Sequence, residues 1–473
     1  MDRAVIEPIV TTSLGDSSYL LVSGDEAVIV DPQRDCWEVL ADCHRRGLHV
    51  RYVLETHVHN DYLSGALEVR EATGATVAGP AAAGYGFAHL PLVEDDELAV
   101  GDTLIRALAT PGHTAEHTAY LVLDREHPEA PPGAVFTGGS LMVGASGRTD
   151  LLGPGRTEEL TRAQFHSLRR LAALPDDTRV LPTHGAGSSC AAAPGSVERT
   201  STVGLQRFAN PALTVADEEE FLARRLVGLP PAPAYYRHMA PINRSGPQVL
   251  GHLPVIGPLT PGQVEHLAAT GSTVVDARGR RAYAAGHLPG SLGIELEASF
   301  AALVGEVVPF ATPLALVLPE PAVDAAAEAV RQLLRIGYRA TGWLDGGIEA
   351  WTATGRPTAS FATATTLDLA ARGTGTVTLL DVRTRPEPAV PGAHAVPLGE
   401  VASRAHEFTG EVWTVCGRGR RATVAAGLLD RAGIPVTAVV SGGATDLIGP
   451  DRSPGTTAGP PPGPDHGRRP AEG

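Results

Sequence analysis

Cysteine is scarce in this chain. Cys36, Cys43, Cys190 and Cys416 are the only four among 473 residues, and no two form a CxxC pair. So few thiols, so far apart, exclude a disulfide framework and a thiolate-held structural zinc, and they point to a reducing compartment. The stretch Met1-Asp2-Arg3-Ala4-Val5 is not the start of a basic segment followed by a long apolar run, so no signal peptide is expected. No apolar run approaches membrane-spanning length. Positive charge is also in deficit, with 38 Lys+Arg against 53 Asp+Glu and a formal net charge of −15. Such a surface repels phosphate backbones, which makes nucleic acid a poor partner and leaves small substrates open. The expectation is a cytoplasmic protein with neither membrane nor nucleic acid among its partners.

What is present suits folded domains. Hydrophobic residues make up 43% and charged residues 19%, and the length allows roughly three units of about 150 residues. Residues 1–250 alternate short apolar strands with Gly/His/Asp-rich loops. Val28-Ile29-Val30-Asp31-Pro32 and Tyr52-Val53-Leu54 read as buried strands, and Leu160 to Leu174 has helical spacing. Pro230-Pro231-Ala232-Pro233 breaks regular structure, and the stretch to about Pro258 reads as a linker.

Two shorter units follow, 260–356 and 362–449, and they repeat one another. Each opens with a strand ending in aspartate, Thr273 to Asp276 and Thr378 to Asp381, with Arg278 or Arg383 two residues on. Each continues with a Gly- or Pro-framed histidine, His287 or His394, and closes on a double glycine, Gly346-Gly347 or Gly442-Gly443. The same motifs in the same order, about 100 residues apart, indicate duplication of one α/β unit. The tail, 450–473, is rich in Pro, Gly, Arg and Asp and is expected to be disordered.

Three histidine segments in the first 250 residues carry chemistry. Thr56-His57-Val58-His59-Asn60-Asp61-Tyr62, Thr110-Pro111-Gly112-His113-Thr114 and Pro182-Thr183-His184-Gly185 each close an apolar strand. Imidazoles and a carboxylate meeting at strand ends suit zinc or iron, so His57, His59, Asp61, His113 and His184 are candidate ligands. A second site is Val415-Cys416-Gly417-Arg418-Gly419-Arg420-Arg421-Ala422, where a cysteine ends a strand before a helix expected from about Ala422. Glycines, guanidinium groups and a helix start favour a thiolate and cradle an outer sulfur, which makes Cys416, Arg418 and Arg421 the catalytic candidates. Charged, glycine-rich surroundings argue that this thiol is accessible. The first short unit has Pro319-Glu320-Pro321 at the matching place and no cysteine, so it carries no persulfide. Cys36 and Cys43 lie on a helical pattern and read as packing residues.

At the histidine segments the chain resembles the metallo-β-lactamase superfamily, whose loop signature is HxHxDH. It is most similar to the persulfide dioxygenase branch fused to rhodanese domains. Gly147-Arg148-Thr149-Asp150, Asn210-Pro211-Ala212-Leu213 and Met239-Ala240-Pro241-Ile242-Asn243 extend that likeness, and Cys416 to Ala422 matches the CxxGxR[A/S] loop of rhodaneses. The resemblance implies an αββα sandwich followed by two rhodanese-type α/β domains, the first degenerate. It also implies a single ferrous ion, with zinc as the alternative, on His57 and His113. The aspartate expected beside them is replaced by Gly139, so Asp61, His59 or His184 must substitute or the site holds no metal. Tyr62 stands where a second-metal histidine would be, which disfavours a two-zinc hydrolase. Arg148 and Cys190 are implied to bind substrate, with a structural role for each as the alternative. The implied reaction oxidises a thiol persulfide (of glutathione, mycothiol, bacillithiol or coenzyme A) with O₂ to sulfite and passes sulfane sulfur through Cys416. A sulfurtransferase alone, a thioester hydrolase of the glyoxalase II type and a non-enzymatic sulfur carrier are the competing readings. Homo-oligomerisation is left open.

Overall fold

A computed structural model describes residues 4–192, 196–225, 229–384 and 389–448. The tail expected to be disordered lies outside them. The first part is two six-stranded sheets laid face to face. One runs in the order Ala4–Thr11, Asp16–Ser23, Glu26–Val30, His49–Leu54, Thr76–Pro80, Leu90–Leu92. The other runs Ser201–Thr202, Arg179–Pro182, Ala134–Gly138, Thr118–Asp124, Thr103–Ala109, Glu97–Val100. Strand side chains alternate between faces. Tyr19, Leu21, Val28 and Val30 therefore meet Tyr120, Phe136 and Leu181 between the sheets, while Leu20, Val22, Ala27 and Ile29 pack outward on helices Trp37–Arg46 and Ala66–Thr73. Cys36 and Cys43 are part of that outer layer, as expected. The opposite outer face is covered by Pro154–Ala172 and Glu218–Arg225 through Phe165, Leu168, Phe221 and Leu222. The result is the expected αββα sandwich. The helix expected from Leu160 starts six residues earlier, because Pro154 supplies a first-turn residue that needs no N–H partner.

The stretch read as a linker is only partly one. Tyr236–Ser245 is a helix that carries Pro241 inside it. Proline is an ordinary helix breaker, and that hid the segment. Its Asn243 reaches back to the histidine loop, donating to His59 O (2.9 Å) and Tyr62 O (2.8 Å) and accepting from Ser64 N (2.9 Å).

Two five-stranded parallel sheets follow. Their orders are Gly257–Leu259, Ala340–Leu344, Leu314–Val317, Thr273–Asp276, Leu292–Gly293 and Ala362–Thr365, Val436–Ser441, Val412–Val415, Thr378–Asp381, His394–Ala395. The orders correspond strand for strand, and every pairing is parallel. Each unit also keeps its clamp: Arg278 and Arg383 each donate from Nη2 to the aspartate two residues back at 2.7 Å. One apolar cluster joins all three parts, running from Leu14, Tyr62 and Met239 through Phe300 and Leu316 to Val412 and Leu429. Among the described residues no helix is long and apolar enough to cross a membrane.

Candidate functional site: an imidazole cluster and a thiol loop

The histidine loops are pinned by Asp31, at the end of strand Glu26–Val30. Its φ of 49° is a backbone state that few residues other than glycine adopt. Its carboxylate holds the strain in place. Oδ1 accepts from Thr56 N (2.7 Å), and Oδ2 accepts from Thr56 Oγ1 (2.7 Å) and Thr183 Oγ1. Loops 56–62 and 183–185 are thereby tied to one anion. Burial pushes that carboxyl upward, but the facing His59 and these donors outweigh it and hold it low.

Tautomers follow from the partners. The Thr56 hydroxyl is spent on Asp31, so its oxygen accepts from His57 Nδ1 (2.8 Å), leaving His57 Nε2 bare. His113 Nδ1 faces the carbonyl of Arg148 (2.8 Å), which only accepts; its Nε2 is bare, buried and without a hydrogen-bond partner. His184 Nδ1 lies 2.9 Å from Asp16 Oδ1 and 3.2 Å from Asp61 Oδ2, and its Nε2 faces His57 Nε2 at 3.4 Å. His59 turns Nε2 toward Glu55 (2.9 Å) and Asp31 (3.3 Å) and leaves Nδ1 buried and unpartnered. The rings crowd together, with centroids 4.2 Å (His57–His59), 4.9 Å (His57–His113) and 5.4 Å (His113–His184) apart.

Imidazoles with one nitrogen fixed by an acceptor and the other bare are what a metal ligand set requires. The orphaned Nε2 of His113 and Nδ1 of His59 fit a cation; ligand atoms of His57, His59 and His184 lie within 4.8 Å of one another, as do those of His113, His184 and Cys190. Burial opposes charge on His184, but Asp61 and Asp16 outweigh it and hold the imidazolium up to about 10. Burial and the neighbouring His184 push His113 down to about 3. Burial, then repulsion from Asp61, pushes Asp16 up to about 7.

Asp61 was expected as a ligand or as a group that orients a histidine; it sits with Asp16 on the Nδ1 side of His184, and ligand atoms of the three lie within 4.8 Å of one another. Arg148 was expected either to bind substrate or to serve the fold. It is 1% exposed, and its guanidinium is consumed by Asp150 (2.7 Å, twice), Ser189 O (3.2 Å) and Pro230 O (2.8 Å). It is a clamp between loops. Cys190 was expected either to touch substrate or to be structural. It is 0% exposed, 3.8 Å from Tyr236 Oη, with burial pushing its thiol well up, and it lies within 4.8 Å of ligand nitrogens of His113 and His184. Gly139 leaves no room for the missing aspartate, since a Cβ there would stand 2.1 Å from His113 Cδ2. Tyr62 is buried, its hydroxyl 3.1 Å from His59 Nε2 and 3.2 Å from Asp31 O. Sequence reasoning missed Asp16, Asp31, Glu55 and His117. His117 accepts from Gly139 N (2.9 Å) and lines the cluster; its signal was present as the second histidine of Thr110-Pro111-Gly112-His113-Thr114-Ala115-Glu116-His117.

The second site sits at the end of the central strand Val412–Val415. Cys416 is 2% exposed, contrary to the expectation of an accessible thiol. Its strand is inside the sheet, and Ala444 N closes onto its carbonyl (2.9 Å). The helix after it spans Arg420–Arg431, starting two residues before Ala422. Gly419 makes that start possible: its φ is +82°, and a Cβ would lie 2.6 Å from Val440 O. Arg421 Nη1 donates to Thr384 Oγ1 (3.3 Å). Arg418 is exposed. Its carbonyl accepts from Arg280 of the cysteine-less unit (2.6 Å), which also supplies Glu297 to Arg420. The loop is therefore braced from the neighbouring unit.

Residues 12–184 match the metallo-beta-lactamase superfamily, and residues 260–354 match the rhodanese-like domain. A hydroxyacylglutathione hydrolase of Cereibacter sphaeroides (strain ATCC 17029 / ATH 2.4.9) is 34% identical over 203 residues, which is 41% of this chain and 73% of that protein. The chain belongs to the metallo-beta-lactamase superfamily. Within that superfamily, the crystal structure of a metallo-beta-lactamase from Staphylococcus aureus subsp. aureus COL is similar over 72% of this chain and 99% of its own. The two share 26% identity at a TM-score of 0.64. A structure of ETHE1 from Myxococcus xanthus is 28% identical over 51% of this chain and 98% of its own, with a TM-score of 0.44. Other hydroxyacylglutathione hydrolases match over about three-fifths of their length, for example 60% in Methylobacillus flagellatus.

Proposed function

We propose that this superfamily member metabolises sulfane sulfur, oxidising a low-molecular-weight thiol persulfide at the imidazole cluster and transferring sulfur through Cys416. The observation that carries the reading is the thiol at the strand-to-helix turn, framed by Gly417, Gly419 and Arg421, on the same chain as an imidazole set fitted to one cation. At Cys416 the thiolate attacks the outer sulfur of a donor persulfide. The donor S–S bond breaks, a Cys–S–S bond forms, and the leaving thiolate takes up a proton. Sulfite then attacks the outer sulfur with its lone pair, giving thiosulfate and restoring the thiolate. At the first centre, persulfide, O₂ and water yield thiol and sulfite; sulfur is oxidised and dioxygen reduced. His57, His59, His113 and His184 would hold a ferrous ion, which would supply the binding and activation of O₂. Around it, Asp16 and Asp61 hold the proton of His184 at Nδ1, Arg148 O holds that of His113, and the buried Tyr62 excludes water.

Metal analysis of the purified chain together with O₂ uptake on glutathione persulfide tests the oxidation. Iron near one per chain with uptake is expected. Neither iron nor uptake, with transfer intact, leaves a sulfurtransferase on a sandwich scaffold. Thioester hydrolysis is the second reading, favoured by the 34% identity to a hydroxyacylglutathione hydrolase. Tyr62 and the closed space at Gly139 oppose it, because they remove two groups a dinuclear site needs. Turnover of a hydroxyacylglutathione thioester would favour it.

A further inference from the structure

A cavity of about 490 Å³ lies where the three parts of the chain meet. Its walls include Ser188 and Ser189 of the sandwich, Ala302 and Glu306 of the cysteine-less unit, and Thr384 and Arg421 of the Cys416 unit. We propose that this cavity is one docking pocket for the carrier thiol, serving both reaction centres, and that it selects carriers with an anionic group. The inference rests on the sulfane-sulfur reading above.

Three observations lead to it. The volume falls within the roughly 300–1,000 Å³ typical of small-molecule sites. The wall borders both centres. Ser189 adjoins Cys190, whose thiol lies within 4.8 Å of ligand nitrogens of His113 and His184. Arg148 fastens that wall to the cluster, because its carbonyl takes the His113 proton while its guanidinium holds Ser189 O and Pro230 O. On the other side, Arg421 and Thr384 flank the Cys416 loop and bond to each other. The third observation is charge. Among the described residues Arg421 has no carboxylate in ion-pair contact, and its guanidinium donates to the neutral Thr384 hydroxyl. The acid on the facing wall, Glu306, feels the charge of Arg421 but is out of ion-pair contact with it, and its carboxylate is engaged by backbone N–H groups of Ala234 and Gly399. A part-buried guanidinium whose hydrogen-bond donors no carboxylate occupies is a receptor for carboxylate or phosphate. Glutathione, with its carboxylates, and coenzyme A, with its phosphates, both present such groups, whereas cyanide and thiosulfate need no carrier pocket.

The test fills the cavity from two walls that lie outside both centres, with Ala302→Phe and, separately, Ser189→Phe in the full chain. Calorimetry with reduced glutathione and with coenzyme A, in a Cys416→Ser background, reads binding without turnover. At least one of these carriers is expected to bind at a single site, weakened about tenfold by either substitution. In the catalytically intact chain, the KM for that carrier is expected to rise by a similar factor both in O₂ uptake on its persulfide and in transfer to its thiol. Thiosulfate-to-cyanide transfer should stay within about twofold. Undiminished binding in a folded variant, or a KM change at one centre alone, overturns the shared pocket. Absence of all turnover in the unmodified chain overturns the proposed function instead, and the binding result still decides the pocket.

Discussion

The two parallel-sheet units share strand order, the aspartate–arginine clamp and a brace of mutual contacts, yet they differ where the central strand ends. In one, Val412–Val415 delivers Cys416 into a glycine–arginine loop; in the other, Leu314–Val317 runs into Pro319-Glu320-Pro321. The scaffold therefore persists without the thiol. What it retains in the cysteine-less unit is contact with the partner's loop, through Arg280 to the Arg418 carbonyl and Glu297 to Arg420. His287 of the same unit reaches Asp430 on the helix behind Cys416 (3.2 Å). One unit thus carries the strand-end thiol, and the other braces the loop around it.

The largest effect should come from Cys416→Ser, which is expected to lower thiosulfate-to-cyanide transfer by about a thousandfold or more while leaving O₂ uptake measurable. Sulfur transfer that survives the substitution would break the comparison. Next are the clamps. Asp381→Asn and Asp276→Asn each remove the carboxylate that clamps a largely buried guanidinium, and each should cost about 3 kcal/mol in denaturant unfolding. Asp381→Asn should also reduce transfer, because its strand adjoins the Cys416 strand; Asp276→Asn should reduce stability with transfer largely intact. Arg280→Ala should slow transfer about tenfold by releasing the Arg418 carbonyl and be partly rescued by Arg280→Lys. The smallest effect concerns Glu306, whose carboxyl burial pushes above its ordinary value. A raised acid costs the folded state only once it ionises, so the penalty grows as pH rises through the folded value. Glu306→Gln should therefore raise the melting temperature by a degree or two at about pH 8 and leave it unchanged at about pH 4.

Much of this was legible in the sequence because it is local. Alternating apolar residues declared the strands, and the histidines at their ends declared His57, His113 and His184. The repeated aspartate–arginine pairs declared the duplication. What escaped depends on long-range packing. Asp16 lies in a hairpin 168 residues from His184, and only the folded sandwich brings them to 2.9 Å. Asp31 reads as a strand-ending aspartate until Thr56 and Thr183 converge on it. The burial of Cys416 was hidden by charged sequence neighbours, because burial is set by the strand's place inside the sheet. The roles of Arg148 and Cys190 needed the loops at Ser189 and Pro230 to be seen beside them.

Intact-protein mass spectrometry after brief exposure to thiosulfate or glutathione persulfide tests the central claim most directly. One added sulfur atom, mapped to Cys416 and released as thiosulfate on adding sulfite, is the expected result. An unmodified Cys416 in a folded chain, with sulfur found on no residue or on Cys190 alone, would contradict it.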